Sequence, residues 1–310
     1  MSEQEPSRPE DKDAPGSADA RVGSEMQEGG VPTFRLEERG SGEAVAPATA
    51  AEKWAKLPED LRAPWGWLDL LFLALFWLVV QFAAGITVGV VAVSQGMEIH
   101  QLPQLARNPR VVVPLTATMF VLLMVFVCLL LRVRYESPFW RAVGWRGWPV
   151  GKLSPTVSIL LSLLGGVGLA LVVIPMNAVF KSKTKLPIEE LFQDRQSALL
   201  LMGLAILLAP LVEETLFRGY IYPVIARSWG VTAGVLVTGA VFGLLHAQQL
   251  RGGTAQIVML IWVGIVLTWV RAKTGTVLAS YLVHLSYNSF LFLGLYAATG
   301  GFKRFPTAGG

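Results

Sequence analysis

Charge is what this sequence has little of: Asp, Glu, Lys and Arg make up 15% of its 310 residues, against about 25% in ordinary soluble domains. With 53% hydrophobic residues and a mean hydropathy of +0.51, water alone cannot cover the chain, so lipid must cover part of it. Cysteine is almost missing as well. Cys128 is the single one, which excludes an internal disulfide framework and a cysteine-based metal site. Acids are scarce beyond position 60, where only Asp69, Glu98, Glu136, Glu189, Glu190, Asp194, Glu213 and Glu214 remain. The formal charge of +4 therefore conceals a strongly basic main part. Its Lys and Arg gather in short segments between apolar runs, as where loops meet anionic head groups. Nucleic acid is the less economical partner for that charge, and membrane lipid the expected one. No internal repeat at a fixed period is present.

Residues 1–60 combine Glu, Ser, Pro, Gly and Ala with few large apolar side chains, too few to offset the entropy of ordering, so they read as a disordered polar tail. They are not a secretory signal peptide, because the first apolar run starts only near Trp65 and is too long for an h-region followed by cleavage. After the tail, stretches long enough to cross a bilayer stand near 66–94, 111–131, 153–180, 197–225, 231–247, 255–271 and 276–298. The turns between them include Ser228-Trp229-Gly230, Arg251-Gly252-Gly253 and Lys273-Thr274-Gly275. The expected fold is an all-α polytopic transmembrane bundle of about seven spans. Its divisions are an N-terminal membrane region over 61–195, a C-terminal helical core over 196–300 and a short tail over 301–310. The basic loops 132–152 and 181–195 flank one span and must face opposite sides, so the positive-inside rule leans only slightly to a cytoplasmic N-terminus. Leu186-Pro187-Ile188-Glu189-Glu190-Leu191-Phe192 reads as interfacial.

Ionisable residues within a span cost about 2.5–3.5 kcal/mol each on insertion scales, so each needs a partner or a purpose. Glu213, Glu214 and Arg218 interrupt the fourth apolar segment, while His246 and His284 end or interrupt the fifth and seventh. Glu214 and Arg218 are i,i+4 and can form a buried pair. On a 3.6-residue period Glu213 points about 100° away. Without a charge partner in its own turn, it suits a general acid or base. Pro210 removes a backbone hydrogen bond just upstream, which favours a kink there. Phe242 with His246, and His284 with Asn288, are also i,i+4 pairs that can share one cavity. Together these residues offer a proton acceptor in Glu213, a water-orienting imidazole in His246, and two further donors or ligands in His284 and Asn288. Peptide hydrolysis needs such a set.

Plainer readings compete at each position. A Glu–Arg pair is often a packing clamp, a lone histidine in a span is often an interhelical hydrogen-bonding residue, and Phe242 alone reads as core. Asp69, Gln81 and Asn177 read as interfacial or hydrogen-bonded to a neighbouring helix, and His100 lies in a loop. A metal is not favoured, since no His-Glu-x-x-His pair preorganises two ligands on one helix. If zinc were bound, Glu213, His246 and His284 would be its ligands.

The motifs Glu213-Glu214-Thr-Leu-Phe-Arg218, Phe242-Gly-Leu-Leu-His246 and His284-Leu-Ser-Tyr-Asn288, in that order, resemble the CPBP family. This family comprises the CAAX prenyl proteases and bacterial relatives linked to bacteriocin processing and immunity. The resemblance covers about the last third of the chain, 197–298. It implies a four-helix core around a conical cavity, with Glu213 and His246 activating water, His284 and Asn288 meeting the oxyanion, and Glu214 with Arg218 bracing the site. It also implies a membrane-anchored protein or peptide as substrate, since eukaryotic members remove the last three residues of a prenylated CAAX protein. A bacterial cytoplasmic membrane is the expected location. Two departures stand out: Thr268, where a second small residue after Gly264 would be usual, and the N-terminal tail. A non-proteolytic scaffold or immunity protein is the competing reading of the same fold. A proton-coupled transporter is another, although transporters usually carry duplicated halves.

Overall fold

The computed structural model describes residues 55–105, 107–148, 153–180 and 186–304, and every regular element among them is helical. Seven main helices follow the seven expected spans: α1 Trp67–Ser94, α2 Pro109–Tyr135, α3 Pro155–Val179, α4 Arg195–Trp229, α5 Val231–Leu245, α6 Thr254–Thr274 and α7 Val277–Ala298. Six are long and apolar enough to cross a membrane. The fifth is not: its 15 residues rise only about 22 Å, short of a bilayer core of about 30 Å.

Local chemistry sets where these helices begin. Asp69 accepts from the Gly66 N–H at 2.8 Å and caps α1, Asn108 and Ser154 cap α2 and α3 ahead of Pro109 and Pro155, and Thr276 caps α7. Asp194 caps α4 by accepting from the Ser197 N–H at 2.8 Å, which holds its carboxyl below the usual range. Glycines in left-handed or extended positive-φ geometry close the turns, Gly230 at φ +88° between α4 and α5 and Gly275 at +70° between α6 and α7.

The 35-residue α4 is not uniform. Around Pro210 the turns widen to i→i+5 spacing over Leu204–Leu208 and again over Glu214–Ile221. Proline has no N–H to close an ordinary turn, and widened turns accommodate that loss. The 3.6-residue period is thus interrupted on both sides of Ala209–Glu213, and the expected break at Pro210 takes the form of two wide turns.

Glycine brings the core helices together. A Cβ on Gly239 of α5 would stand 2.5 Å from the Ile265 nitrogen of α6, and one on Gly264 would stand 2.6 Å from the Gly239 carbonyl oxygen. Small residues at these positions let the two backbones approach, as membrane helices do without a hydrophobic driving force between them. Asn177 accepts from Gln256 at 3.0 Å, joining α3 to α6 by the interhelical bond expected of an isolated asparagine.

The boundary expected at residue 60 falls inside a docked segment. Residues 1–54 lie outside the described residues. From 55 onward the chain makes a turn at Glu59–Leu61 and lays Leu61, Ala63 and Trp65 into the core. Trp65 donates to the Tyr220 carbonyl oxygen at 2.8 Å and stacks on the Tyr220 ring, while Arg227 donates to the Ala63 and Trp65 carbonyls. Arg271, almost fully buried, pairs with Asp60 at 2.9 Å.

Candidate active site

Four helices supply the site. The second wide turn of α4 carries Glu214 and Arg218, with Glu213 at the last ordinary residue before it. His246 stands at the C-terminal end of α5, and the shortness of that helix places the imidazole at a helix end. His284 comes from the first half of α7, and α6 contributes Gly264 and Thr268.

Glu214 and Arg218 are sealed from solvent and paired at 2.8 Å. The same Glu214 oxygen accepts from His284 Nδ1 at 2.9 Å. Arg218 is satisfied on all sides: Nη1 donates to Glu214, Nη2 to the Gly264 carbonyl at 2.8 Å, and Nε to the Thr268 hydroxyl at 3.2 Å. Its guanidinium carbon lies 4.6 Å from the centroid of the buried Phe242 ring. A guanidinium in a dry bundle needs such a full set of partners, and its cation–π contact adds to them. Phe242 also meets the rings of Phe217, His246 and His284. It therefore packs against the guanidinium and both imidazoles at once.

Glu213 occupies a different environment. Its side chain is 13% exposed where that of Glu214 is 0%, and its two oxygens face two histidines, His246 Nε2 at 3.7 Å and His284 Nε2 at 3.9 Å. Each ring is oriented through its other nitrogen. His246 Nδ1 donates to the Phe242 carbonyl at 2.7 Å, and His284 Nδ1 to Glu214. Both Nε2 atoms are thereby aimed at one carboxylate, the arrangement by which a second nitrogen fixes what a functional imidazole presents.

Three of the four expected site residues, Glu213, His246 and His284, converge in this way. Asn288 lies one turn further along α7, and its Nδ2 donates to the Ala205 carbonyl in the first wide turn of α4 at 2.8 Å. A wide turn leaves carbonyls poorly served by the helix itself, and Asn288 serves one of them. Sequence reasoning missed that contact, and it took Thr268 only as a departure from the family pattern, whereas the hydroxyl accepts from Arg218. The i,i+4 spacing of Gly264 and Thr268 was the available signal. Among the described residues no group of three or more His, Cys, Asp or Glu is arranged to hold a metal ion. In the set a zinc reading would need, the 3.7 and 3.9 Å gaps exceed the roughly 3.4 Å that separates ligands around a tetrahedral zinc with bonds of about 2.1 Å.

A multi-pass helical membrane protein with a shielded carboxylate facing two oriented imidazoles is thus what fold and site define. Residues 195–290 match the family model described as type II CAAX prenyl endopeptidase Rce1-like. No curated protein and no solved structure matches the chain. The matched stretch contains Glu213, His246, His284 and Asn288, so the likeness to the CAAX-protease family lies in the part of the chain that carries the candidate site.

Proposed function

We propose that this protein is an intramembrane endopeptidase that hydrolyses a peptide bond near the C-terminus of a membrane-associated, CAAX-like or prenylated, protein or peptide, in a bacterial cytoplasmic membrane. The observation that carries the reading is the Glu213 carboxylate held between two imidazole Nε2 atoms at 3.7 and 3.9 Å. These separations are too long for direct hydrogen bonds and suit a bridging water. A water there gives one proton to Glu213 while its other hydrogen bonds to His246 Nε2, and its oxygen attacks the scissile carbonyl. Glu213 then passes the proton to the departing amine.

The negative charge that develops on the tetrahedral oxygen needs donors already in place. His284 is held at Nδ1 by the Glu214 carboxylate and turns Nε2 towards the same space as Glu213. Asn288 keeps a second N–H beside the one given to Ala205. Glu214, Arg218, Phe242, Gly264 and Thr268 position these groups without touching the substrate.

We take the reaction to proceed without an obligatory metal, because a site built on hydrogen-bond distances accommodates the observed gaps as they stand. The test is the purified full-length chain in lipid nanodiscs, given a farnesylated peptide with a CAAX ending and the same peptide without the lipid. Cleavage of the farnesylated peptide, persisting after exhaustive chelation and without stoichiometric zinc by elemental analysis, is the expected result. One zinc per chain, with activity lost on chelation and restored by zinc, would make Glu213, His246 and His284 metal ligands. Faster cleavage of the unlipidated peptide would remove the prenyl group from the reading.

A further inference from the structure

Away from the catalytic helices, an open groove of ≈ 620 Å³ runs between α2 and the segment around Phe139–Ala142. Met124, Val125 and Cys128 line it along one face of α2, and Arg132 continues that face at i+4 from Cys128, with Trp140 and Arg141 opposite. From Met124 to Arg132 the face is about 12 Å long. It is apolar along most of that length and cationic at one end.

The cationic end lies at the level where the molecule marks a membrane surface. Trp67, Trp140 and Trp229 are 45–59% exposed and lie at or near the helix ends on this side, at the starts or finishes of α1, α2 and α4. Exposed tryptophans in such positions belong to the interfacial belt. Arg132 and Arg141 are exposed there, and neither guanidinium has a hydrogen-bond or ion-pair partner among the described residues. Neighbours at the same level behave otherwise, since Arg134 pairs with Asp69, Arg146 with Glu59 and Arg271 with Asp60. Two unpaired guanidinium groups at head-group depth, above an apolar trough that opens towards lipid, complement a phosphate attached to a hydrocarbon chain.

We propose that this groove is a binding site for an anionic phospholipid, whose acyl chain lies along Met124, Val125 and Cys128 and whose phosphate sits on Arg132 and Arg141. The site is separate from the catalytic one but is packed against its scaffold. The Trp140 ring meets that of Trp145 at 5.8 Å, and Trp145 donates to the Thr215 hydroxyl at 2.9 Å, next to Glu214. Occupancy of the groove therefore bears on the wall behind the second wide turn of α4.

Bromine on an acyl chain quenches tryptophan only on contact, which makes Trp140 the reporter. The full-length chain is placed in phosphatidylcholine vesicles that contain increasing fractions of brominated phosphatidylglycerol or brominated phosphatidylcholine. The signal read is the difference between the wild-type chain and Trp140→Phe. Two arginines at the surface should bring half-maximal quenching to a mole fraction about tenfold lower for the anionic lipid. Arg132→Gln with Arg141→Gln should abolish that preference, and Arg132→Lys with Arg141→Lys should keep it, which separates loss of charge from loss of fold. Equal quenching of the wild-type chain by both lipids, a preference that survives the glutamine pair, or one lost equally in the lysine pair would overturn the proposal. So would a preference removed by inorganic phosphate at matched ionic strength, which would make the ligand a free anion.

Discussion

In α1, 11% of the most apolar stretch is buried inside the molecule; in α6 the share is 39%. The first three helices turn long rows of leucine and valine outward, with Leu71, Leu75, Val79, Phe82 and Ile86 of α1 all more than half or nearly half exposed. Lipid is as good a solvent for these side chains as the protein interior, so nothing drives them inward. In the last four helices the buried positions include Glu214, Arg218, Thr268, Arg271 and His284. Those groups have no acceptable place in hydrocarbon and need partners inside the protein, which Glu214, Arg218, Thr268 and His284 find in each other and Arg271 finds in Asp60. Polar chemistry, more than apolar burial, gives α4 to α7 one arrangement, and that arrangement is the candidate site.

The sharpest way to break this comparison is to remove Glu213, the core carboxylate that faces imidazoles where Glu214 is paired with an arginine. Glu213→Gln keeps the shape and cannot take a proton. Turnover of the farnesylated peptide should fall by about 10²–10⁴-fold, while the unfolding temperature in detergent stays near that of the wild-type chain. Turnover within a few-fold of wild type would move the base elsewhere and leave the fold untouched.

Next in size is the adjacent carboxylate. Glu214→Gln leaves Arg218, fully buried, without its counter-charge and His284 without its anionic acceptor. A loss of about 3–5 kcal/mol of stability is expected for breaking a buried pair from one side. Denaturant or thermal unfolding should show it whether or not a substrate is present. Equal effects of the two substitutions on stability would contradict the division between the neighbouring glutamates.

A third test compares like with like across the two regions. A Cβ on Gly264 of α6 would meet the Gly239 carbonyl at 2.6 Å and the Phe242 ring at 3.0 Å, whereas one on Gly85 of α1 meets nothing within 4 Å. Gly264→Ala should cost about 1–3 kcal/mol by overpacking and lower turnover as Phe242 and His246 are displaced. Gly85→Ala should change neither by a measurable amount. A core that tolerates both alike would mean that α5 and α6 are not held at close approach.

The pairing of Glu214 with Arg218 was legible because i,i+4 spacing survives a widened turn well enough for long side chains to meet. The convergence of Glu213, His246 and His284 was legible only as a set of costly residues in separate spans, since spacing along one helix says nothing of distances between helices. Asn288 shows the limit. Its place beside His284 suggested one cavity for both, yet its Nδ2 goes to Ala205, a carbonyl whose need for a partner arises from a wide turn that a 3.6-residue period does not foresee. The helix count was legible from hydropathy, and so was the shortness of α5, because His246, Gln248 and Gln249 end the apolar run within a few residues of Leu245.

The smallest effect expected belongs to the segment before α1, whose residues up to 60 composition assigned to a disordered polar tail and which the structure ties to α4 and α6. Arg271 of α6 is 1% exposed, and its Nη1 pairs with the Asp60 carboxylate while Nη2 reaches the Asp60 carbonyl at 3.3 Å. Asp60→Asn keeps an acceptor for Nη1 and removes the charge. Because the Asp60 side chain is 19% exposed, water takes over part of the lost interaction. A cost of about 1–2 kcal/mol is therefore expected, below that at Glu214. Deletion of residues 1–54 should leave the unfolding temperature and turnover as they are. Deletion through Arg62 should lower stability by at least as much as Asp60→Asn, since Leu61 leaves the core as well. Should the longer deletion behave like the shorter one, residues 55–62 would belong with the tail, and the polar core of α4 to α7 would be complete without them.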